Sequence, residues 1–150
     1  MPETSEPGRP RPVRAWIALG SNLGDRDAWL AFARTELERL DATRIVAVSS
    51  VEETEPLGGR DQPAYLNQMV LLETGLDPGE LLRYCQRIER AAGRVRRERW
   101  ASRTLDLDIV RYDDLQLDVP GLTLPHPGLA SRDFWRREMD EIGAGLRTED

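Results

Sequence analysis

Apolar and polar residues alternate along this chain with two different periods, and each change of period marks the edge of a predicted element. Four short segments combine period-two alternation or continuous apolar stretches with β-branched residues, which is typical of β-strands. Between these segments, apolar residues recur every three or four positions in two longer stretches, which predicts two amphipathic helices. The predicted strands are 13–19, 44–51, 65–74 and 104–112.

The two predicted helices have clear start signals. Asp25 precedes the first apolar repeat and predicts an N-cap, because its short side chain can accept hydrogen bonds from first-turn amides. In segment 77–80 a capping aspartate, a proline at the first helical position and a glutamate at the third predict the start of the second helix. Gly93 predicts its end. The order β-α-β-β-α-β predicts an α+β protein with a ferredoxin-like βαββαβ core: an antiparallel sheet, helices on its faces and long functional loops.

The fourth predicted strand contains two acids in alternation with apolar residues. Asp106 and Asp108 therefore project from one face of the strand, with roughly 6.6 Å of rise between them. Two oxygen donors at that spacing can share a hard divalent cation or a pair of such cations. The alternatives are acids exposed to water on an edge strand, or acids in ion pairs with nearby arginines. Asn67, on the third strand, is a candidate for the same face of the sheet.

A strongly basic segment precedes these acids. Residues 94–103 include five arginines and a single acid, although the net charge of the whole chain is −6. A local basic patch on an acidic protein suits a small anionic ligand and argues against a general nucleic-acid binder. Trp100 lies inside the segment, where a tryptophan either docks onto the protein or stacks on a flat ligand. A solvated basic loop is the alternative interpretation.

All 21 basic residues are arginine. The absence of lysine from the sequence excludes a P-loop lysine, a Schiff-base lysine and the lysine of a protein-kinase site.

The only histidine, His126, lies between two prolines, and this rigid presentation suits a phosphate contact, although a lone histidine is more often structural. Segment 55–63 predicts a functional loop because it contains two prolines and two glycines. A short helix is predicted over 132–142.

Length and composition fit one folded domain. The chain has 150 residues, of which 39% are hydrophobic and 32% charged. We predict a disordered leader over 1–12, which is rich in Pro, Glu and Arg, followed by a single domain over 13–150. No apolar run approaches the roughly 18 residues of a membrane span. The only cysteine, Cys85, predicts a small buried apolar side chain and a reducing, cytoplasmic environment.

Several motifs, taken in order along the chain, resemble the 6-hydroxymethyl-7,8-dihydropterin pyrophosphokinase family of folate biosynthesis. The resemblance extends from about Ala15 to Phe134. The matching segments are 17–25 (IALGSNLGD), 53–58 (ETEPLG), 61–67 (DQPAYLN), 88–89 and 93–94 (IE and GR), 99–109 (RWASRTLDLDI) and 124–127 (LPHP), followed by Arg132 and Phe134.

The resemblance implies an enzyme that transfers diphosphate from ATP to the hydroxymethyl group of 6-hydroxymethyl-7,8-dihydropterin and releases AMP. It implies two Mg²⁺ ions as cofactors and ATP as co-substrate. The implied partners are these small-molecule substrates, with no nucleic acid and no membrane, and the implied location is cytoplasmic. Segment 94–103 would be a mobile lid that closes over ATP and excludes water.

The resemblance also implies three groups of site residues. Four match catalytic positions, and the two aspartates among them also match metal ligands: Arg94, Arg103, Asp106 and Asp108. Seven match positions that bind ATP: Gln86, Glu89, Arg96, Ile109, Thr123, His126 and Arg132. Six match positions that bind the pterin: Thr54, Leu57, Tyr65, Asn67, Trp100 and Phe134.

The chain departs from the family pattern in several places, and one of them is Gly121, which lies near a position where some members have an arginine that contacts ATP. Glu52 stands where the family usually has tyrosine, and the residues after Phe134 form a charged run instead of an apolar one. These departures leave a second hypothesis open: a catalytically weakened or inactive relative that binds nucleotide or pterin. A third is an interaction domain whose basic loop docks an acidic partner.

Overall fold

The computed structural model describes residues 11–56, 63–93 and 104–148. Seven strands, three α-helices and one 3₁₀ helix are found in these ranges. The elements are β1 (Val13–Ser21), α1 (Arg26–Glu38), β2 (Thr43–Val48), β3 (Glu52–Thr54), β4 (Tyr65–Thr74), α2 (Pro78–Ala91), β5 (Asp106–Tyr112), β6 (Leu117–Val119), β7 (Leu122–Leu124), a 3₁₀ helix (Pro127–Ala130) and α3 (Asp133–Thr148).

The main sheet has five strands in the order β2-β4-β1-β5, and β3 pairs with β4 beyond the end of β2. Every pairing in it is antiparallel. β1 and β4 therefore lie at the centre, and β5 lies at one edge. This architecture confirms the α+β, ferredoxin-like prediction, because each of α1 and α2 connects two strands of the same sheet that have one strand between them. β4 lies between β1 and β2, and β1 lies between β4 and β5.

Both faces of the sheet are covered. Alternate residues of β1, β4 and β5 pack under α1 and α2 and form the larger hydrophobic core, which includes Ile17, Val70, Leu107 and Ile109. The intervening residues face α3 and form a second core with Ala18, Met69, Leu71, Val110, Trp135 and Ile142. The sheet therefore separates two apolar layers, and polar residues at the end of either layer define a potential site.

The helix starts agree with the sequence prediction. The Asp25 side chain accepts a hydrogen bond from the amide of Ala28 at 3.1 Å. Asp77 and Glu80 form a reciprocal capping box at the start of α2, with bonds of 2.8 and 2.9 Å to each other's backbone amides. These caps satisfy amide groups that have no partner within the helix, and they fix where each helix begins.

The predicted strand over 44–51 is wrong at its C-terminal end. β2 ends at Val48, and β3 begins at Glu52, so three residues separate the two strands. Both strands pair with β4. Ser49 accounts for the interruption, because its carbonyl accepts a hydrogen bond from the Gln68 side chain at 2.7 Å and its hydroxyl accepts one from the Met69 amide at 2.9 Å. These side-chain bonds replace part of the regular strand ladder.

Two further elements differ from the prediction. The β6–β7 hairpin was not predicted, because strands of three residues are too short to display a period, and Gly121 at their turn has a φ of 83°. The predicted helix over 132–142 is longer in the structure, since α3 continues to Thr148. Met139 and Leu146 continue the apolar stripe that packs on the second core, and this contact supports the longer helix.

Two of the predictions concern residues at the margins of the structure. Most of the predicted leader over 1–12 lies outside the described residues, so the leader and the single-domain boundaries stay predictions. Within residues 11–56, 63–93 and 104–148, no helix has both the length and the apolar character needed to cross a membrane.

Candidate active site

Asp106 and Asp108 lie on the sheet face that α3 covers in part. Asp108 is opposite Ala18 of β1, and the residues that flank it, Leu107 and Ile109, are buried under the other two helices. The Asp108 side chain is 42% exposed. The acids therefore occupy a position where the apolar layer under α3 ends and where a ligand from solvent can reach their oxygens.

Gly20 lies between the acids and the polar end of β4. It pairs with Asp106 on one side and with Asn67 on the other, so three strands place these residues in one row. A Cβ atom added to Gly20 would lie 3.5 Å from Asn67 Oδ1 and 3.5 Å from the ring of Tyr65. The missing side chain leaves room on the sheet surface between the acids on β5 and the polar groups on β4.

The polar groups beside Gly20 hold one another in place. Asn67 is only 7% exposed, and its side-chain amide donates a hydrogen bond to the hydroxyl of Thr54 at 2.6 Å. Thr54 on β3 is in register with Tyr65 on β4. The structure thus brings together three of the residues assigned to the pterin by resemblance, at the same end of the sheet as Asp106.

His126 lies beside Asp108 on the other side of the acids. Its Nε2 is 3.7 Å from Asp108 Oδ1, and its Nδ1 accepts a hydrogen bond from the amide of Gly128 at 2.9 Å. Burial lowers the pKa of His126, and the nearby Arg132 guanidinium lowers it further. The imidazole is therefore neutral near pH 7, with its proton on Nε2 and directed towards Asp108.

Trp135 orients the two basic residues that follow the acids, and the sequence reasoning missed it. The Arg132 guanidinium lies over the Trp135 ring, 4.6 Å from its centroid, and the His126 ring contacts the same indole edge-on at 5.0 Å. Phe134 also contacts Trp135, with centroids 6.3 Å apart. The signal available in the sequence was an apolar side chain one helical turn before Met139 in a charged run.

A pocket of about 300 Å³ lies along the outer edge of β5. Four residues assigned by the sequence analysis line it: Asp108, Ile109, Thr123 and His126. The β6–β7 hairpin supplies Thr123, whose hydroxyl donates to Asp118 at 3.1 Å. The unpredicted hairpin therefore forms one wall of the pocket, opposite the edge of the main sheet.

Two ATP-side candidates lie on α2. Gln86 is exposed, whereas Glu89 is 6% exposed and its Oε2 accepts a hydrogen bond from the amide of Leu107 at 2.7 Å. α2 packs on the sheet face opposite the one from which Asp108 projects. Neither residue lines the pocket, so the structure does not group them with Thr123 and His126.

Five of the assigned site residues lie outside the described part of the chain, and their assignments stay predictions: Leu57, Arg94, Arg96, Trp100 and Arg103. The same applies to the predicted lid over 94–103.

The donor set of the acidic pair fits Mg²⁺. No group of three or more His, Cys, Asp or Glu side chains within residues 11–56, 63–93 and 104–148 is arranged to hold a metal ion. Mg²⁺ does not require such a cage, because it is usually bound by one or two carboxylates while substrate phosphates and water complete its octahedron. Asp106 and Asp108 supply two carboxylates on one partly exposed face.

A ferredoxin-like sheet with paired acids beside a neutral histidine and a pocket suits an enzyme that handles phosphorylated substrates. Residues 16–144 match the family model of 7,8-dihydro-6-hydroxymethylpterin-pyrophosphokinase. The chain belongs to this family, and it is accordingly a pyrophosphokinase of folate biosynthesis.

Curated relatives agree with this assignment. The chain is similar to the 2-amino-4-hydroxy-6-hydroxymethyldihydropteridine pyrophosphokinases of three bacteria, and the identity is 42% in each case. The alignment with the Pseudomonas aeruginosa protein covers 91% of this chain and 85% of the relative. The corresponding shares are 85% and 77% for the Bacillus subtilis protein, and 89% and 84% for that of Haemophilus influenzae.

Proposed function

We propose that this chain transfers the diphosphate of ATP to the hydroxymethyl group of 6-hydroxymethyl-7,8-dihydropterin, with Mg²⁺ as cofactor. The hydroxyl oxygen attacks the β-phosphorus, the bond from that phosphorus to the oxygen bridging it to the α-phosphate breaks, and AMP leaves. The hydroxyl proton is lost as the new oxygen–phosphorus bond forms. Family membership supports the reaction class and implies ATP as co-substrate, and the pterin is the one after which the relatives are named.

The observation that supports this proposal best is the row formed by Asn67, Gly20 and Asp106 across three strands. The Asn67 amide, which can hydrogen-bond to the edge of a heteroaromatic ring, lies on one side of Gly20. The Asp106 carboxylate, which can bind a cation that is also bound to phosphate, lies on the other side. A hydroxymethyl group attached to a ring on the Asn67 side would point towards the acids. This arrangement suits a reaction that joins a ring substituent to a polyphosphate.

Asp106 and Asp108 would hold Mg²⁺, which supplies charge neutralisation for the phosphate oxygens when it is bound. We assign the pocket lined by Ile109, Thr123 and His126 to ATP. His126 places its Nε2 3.7 Å from Asp108 Oδ1, so the imidazole lies close to the proposed cation site. Gln86, Glu89 and Arg132 complete the ATP-side assignment that the resemblance implies among the described residues.

On the pterin side, we assign Thr54, Tyr65, Asn67 and Phe134 to the ring. The bond from Asn67 to the Thr54 hydroxyl fixes the plane of the amide, so its oxygen keeps a defined direction beside Gly20. A preorganised amide loses little conformational entropy when a ring binds. Arg94 and Arg103 remain the proposed catalytic arginines, with Arg96, Trp100 and Leu57 as further contacts.

The proposal is tested by mixing the protein with ATP, Mg²⁺ and 6-hydroxymethyl-7,8-dihydropterin and measuring AMP. AMP should appear in equal amounts with the pterin diphosphate, and it should not appear when either substrate or Mg²⁺ is omitted. Calorimetry with α,β-methylene-ATP should show binding of the nucleotide. Binding of both ligands without formation of AMP would instead support the inactive relative, which neither the comparisons nor the described residues favour.

Replacing Gly20 by valine should block the pterin side selectively. The two γ-methyl groups would enter the space beside Asn67 Oδ1 and the Tyr65 ring, where even a Cβ is at contact distance. We expect the KM for the pterin to rise about tenfold or more, which corresponds to an overpacking cost of ~1.4 kcal/mol, while calorimetric binding of the nucleotide is retained. Gly20→Ala is the matched control and should change KM little. An unchanged KM in the valine variant would show that the pterin ring does not lie beside Gly20.

The cytoplasmic location also belongs to this proposal. Cys85 is buried and free, and burial raises the pKa of its thiol. The thiol therefore stays protonated at neutral pH and does not react as a thiolate. An unpaired cysteine of this kind suits a reducing compartment.

A further inference from the structure

Glu89 makes a contact that its assignment to ATP does not explain. It lies in the last turns of α2, on the opposite face of the sheet from Asp108, and only 6% of it is exposed. Its Oε2 accepts the backbone amide of Leu107 at 2.7 Å. A carboxylate that accepts from a buried amide forms one of the stronger hydrogen bonds in proteins.

Leu107 is the residue between the two acids. β5 is the edge strand of the main sheet, and it pairs with β1 at Asp106 and at Asp108. The Leu107 amide points to Glu89 instead of into the ladder with β1. The backbone between the acids is therefore held on both sides: by β1 through the acidic residues, and by Glu89 through the residue that separates them.

A second bond fastens the same region to α2. The Thr104 hydroxyl donates to the carbonyl of Ala92 at 2.8 Å, just before β5 begins. Together the two bonds join the C-terminal part of α2 to the entry of β5. Edge strands have free backbone groups and tolerate distortion more readily than central strands. Contacts of this kind oppose such distortion where the acids must keep a fixed separation.

We propose that Glu89 is a positioning residue, which fixes the backbone between Asp106 and Asp108 so that both carboxylates meet a divalent cation. This inference rests on the proposed function for the cation. It differs from the nucleotide contact implied by the family resemblance, because Glu89 acts here through Leu107 and not through ATP. Groups that orient metal ligands commonly change metal affinity by about 10- to 100-fold when they are removed.

Two substitutions of similar volume separate the hydrogen bond from the charge. E89Q keeps a carbonyl oxygen that can accept the Leu107 amide, whereas E89M fills the same space with a thioether, which is only a weak acceptor. Both variants lack the negative charge, so a difference between them reports the acceptor alone. Circular dichroism should show that both are folded before the comparison is made.

The first measurement is hydrogen exchange at the Leu107 amide, followed by NMR without any ligand. We expect this amide to stay protected in E89Q and to exchange about tenfold faster in E89M, since loss of the acceptor lowers the cost of local opening. The second measurement is the apparent dissociation constant of Mg²⁺ by calorimetry with α,β-methylene-ATP present. It should rise about tenfold in E89M and remain within about threefold of wild type in E89Q.

Each outcome decides between the roles. If both variants lose ATP affinity equally and the Mg²⁺ constant is unchanged, Glu89 is a nucleotide ligand and the inference is wrong. Equal Leu107 exchange in the two variants would also overturn it. If E89M does not fold, E89Q still tests the inference, because a large rise in its Mg²⁺ constant would contradict rescue by the acceptor. A wild-type protein that binds Mg²⁺ but releases no AMP would instead refute the proposed function and leave this result standing.

Discussion

Replacing Asp108 by alanine is expected to lower the rate of AMP release about a thousandfold while leaving the protein folded. The carboxylate faces solvent on a partly exposed surface, so its removal should cost the fold little. The rate falls because a ligand of the proposed Mg²⁺ is lost, and several kcal/mol of transition-state stabilisation correspond to about three orders of magnitude. Asp106→Ala should behave in the same way.

The measurement is single-turnover AMP formation at saturating substrates, together with thermal unfolding of each variant. Asp114→Ala is the matched control, because this exposed carboxylate lies just after the same strand and outside the site. It should retain wild-type rate and stability. If Asp108→Ala were to unfold the protein, or to retain its rate, the acidic pair would be structural and the proposed cation site would be wrong.

Raising the pH should weaken the fold because of one buried acid on α3. Glu138 is 1% exposed, and neither of its oxygens has a hydrogen-bond partner in the described part of the chain. Burial raises the pKa of Glu138 to about 9, the Glu52 and Glu141 carboxylates add to this rise, and Arg137 opposes it. Arg137 is itself bonded to Glu52 at 2.9 Å, so its charge is partly neutralised by another acid. Glu138 is thus protonated in the folded protein at neutral pH.

The sign of the effect follows from proton binding. Between the unfolded pKa of 4.5 and the folded pKa of about 9, the folded state keeps a proton that the unfolded state has lost. The free energy of unfolding therefore falls as the pH rises through this interval, with a limiting slope of about 1.4 kcal/mol per pH unit. Over the range from about pH 5.5 to pH 8.5 we expect a loss of ~2–4 kcal/mol from this group.

Urea unfolding at the two pH values measures this loss. Glu138→Gln should remove most of the dependence of the unfolding free energy on pH. At the higher pH this variant should be more stable than wild type by about 2 kcal/mol, because its amide cannot ionise, whereas a buried carboxylate is costly when it ionises. Asp140→Asn is the control, since it removes an exposed acid from the same helix and should leave the slope unchanged. Equal slopes in wild type and Glu138→Gln would show that another group governs the pH dependence.

The sequence predicted the part of the site that depends on local period and register. Alternation in β5 was sufficient to place both acids on one face, and cap residues were sufficient to start α1 and α2. The position of Asn67 on the same face depended on knowing the strand order, which the family of folds supplied.

The parts that could not be predicted depend on contacts between distant segments. The bond from Glu89 to Leu107 joins residues on different elements, and no spacing along the chain indicates it. Trp135 gains its role only when α3 packs against the sheet and brings the indole under His126 and Arg132. The β6–β7 hairpin forms a pocket wall although its strands are too short for a period to be recognised.

Under the proposed function, the row of residues across β4, β1 and β5 also sets how large a substrate pair can be. Asn67 and Asp106 lie two strands apart with Gly20 between them, so hydrogen bonding of the sheet separates their backbones by about 9.6 Å. Backbone geometry, which mutation of side chains leaves unchanged, therefore fixes the gap between acceptor and donor. Evolution of a related enzyme for a longer acceptor would have to proceed through the loops around the sheet, because the strands themselves offer no adjustable dimension.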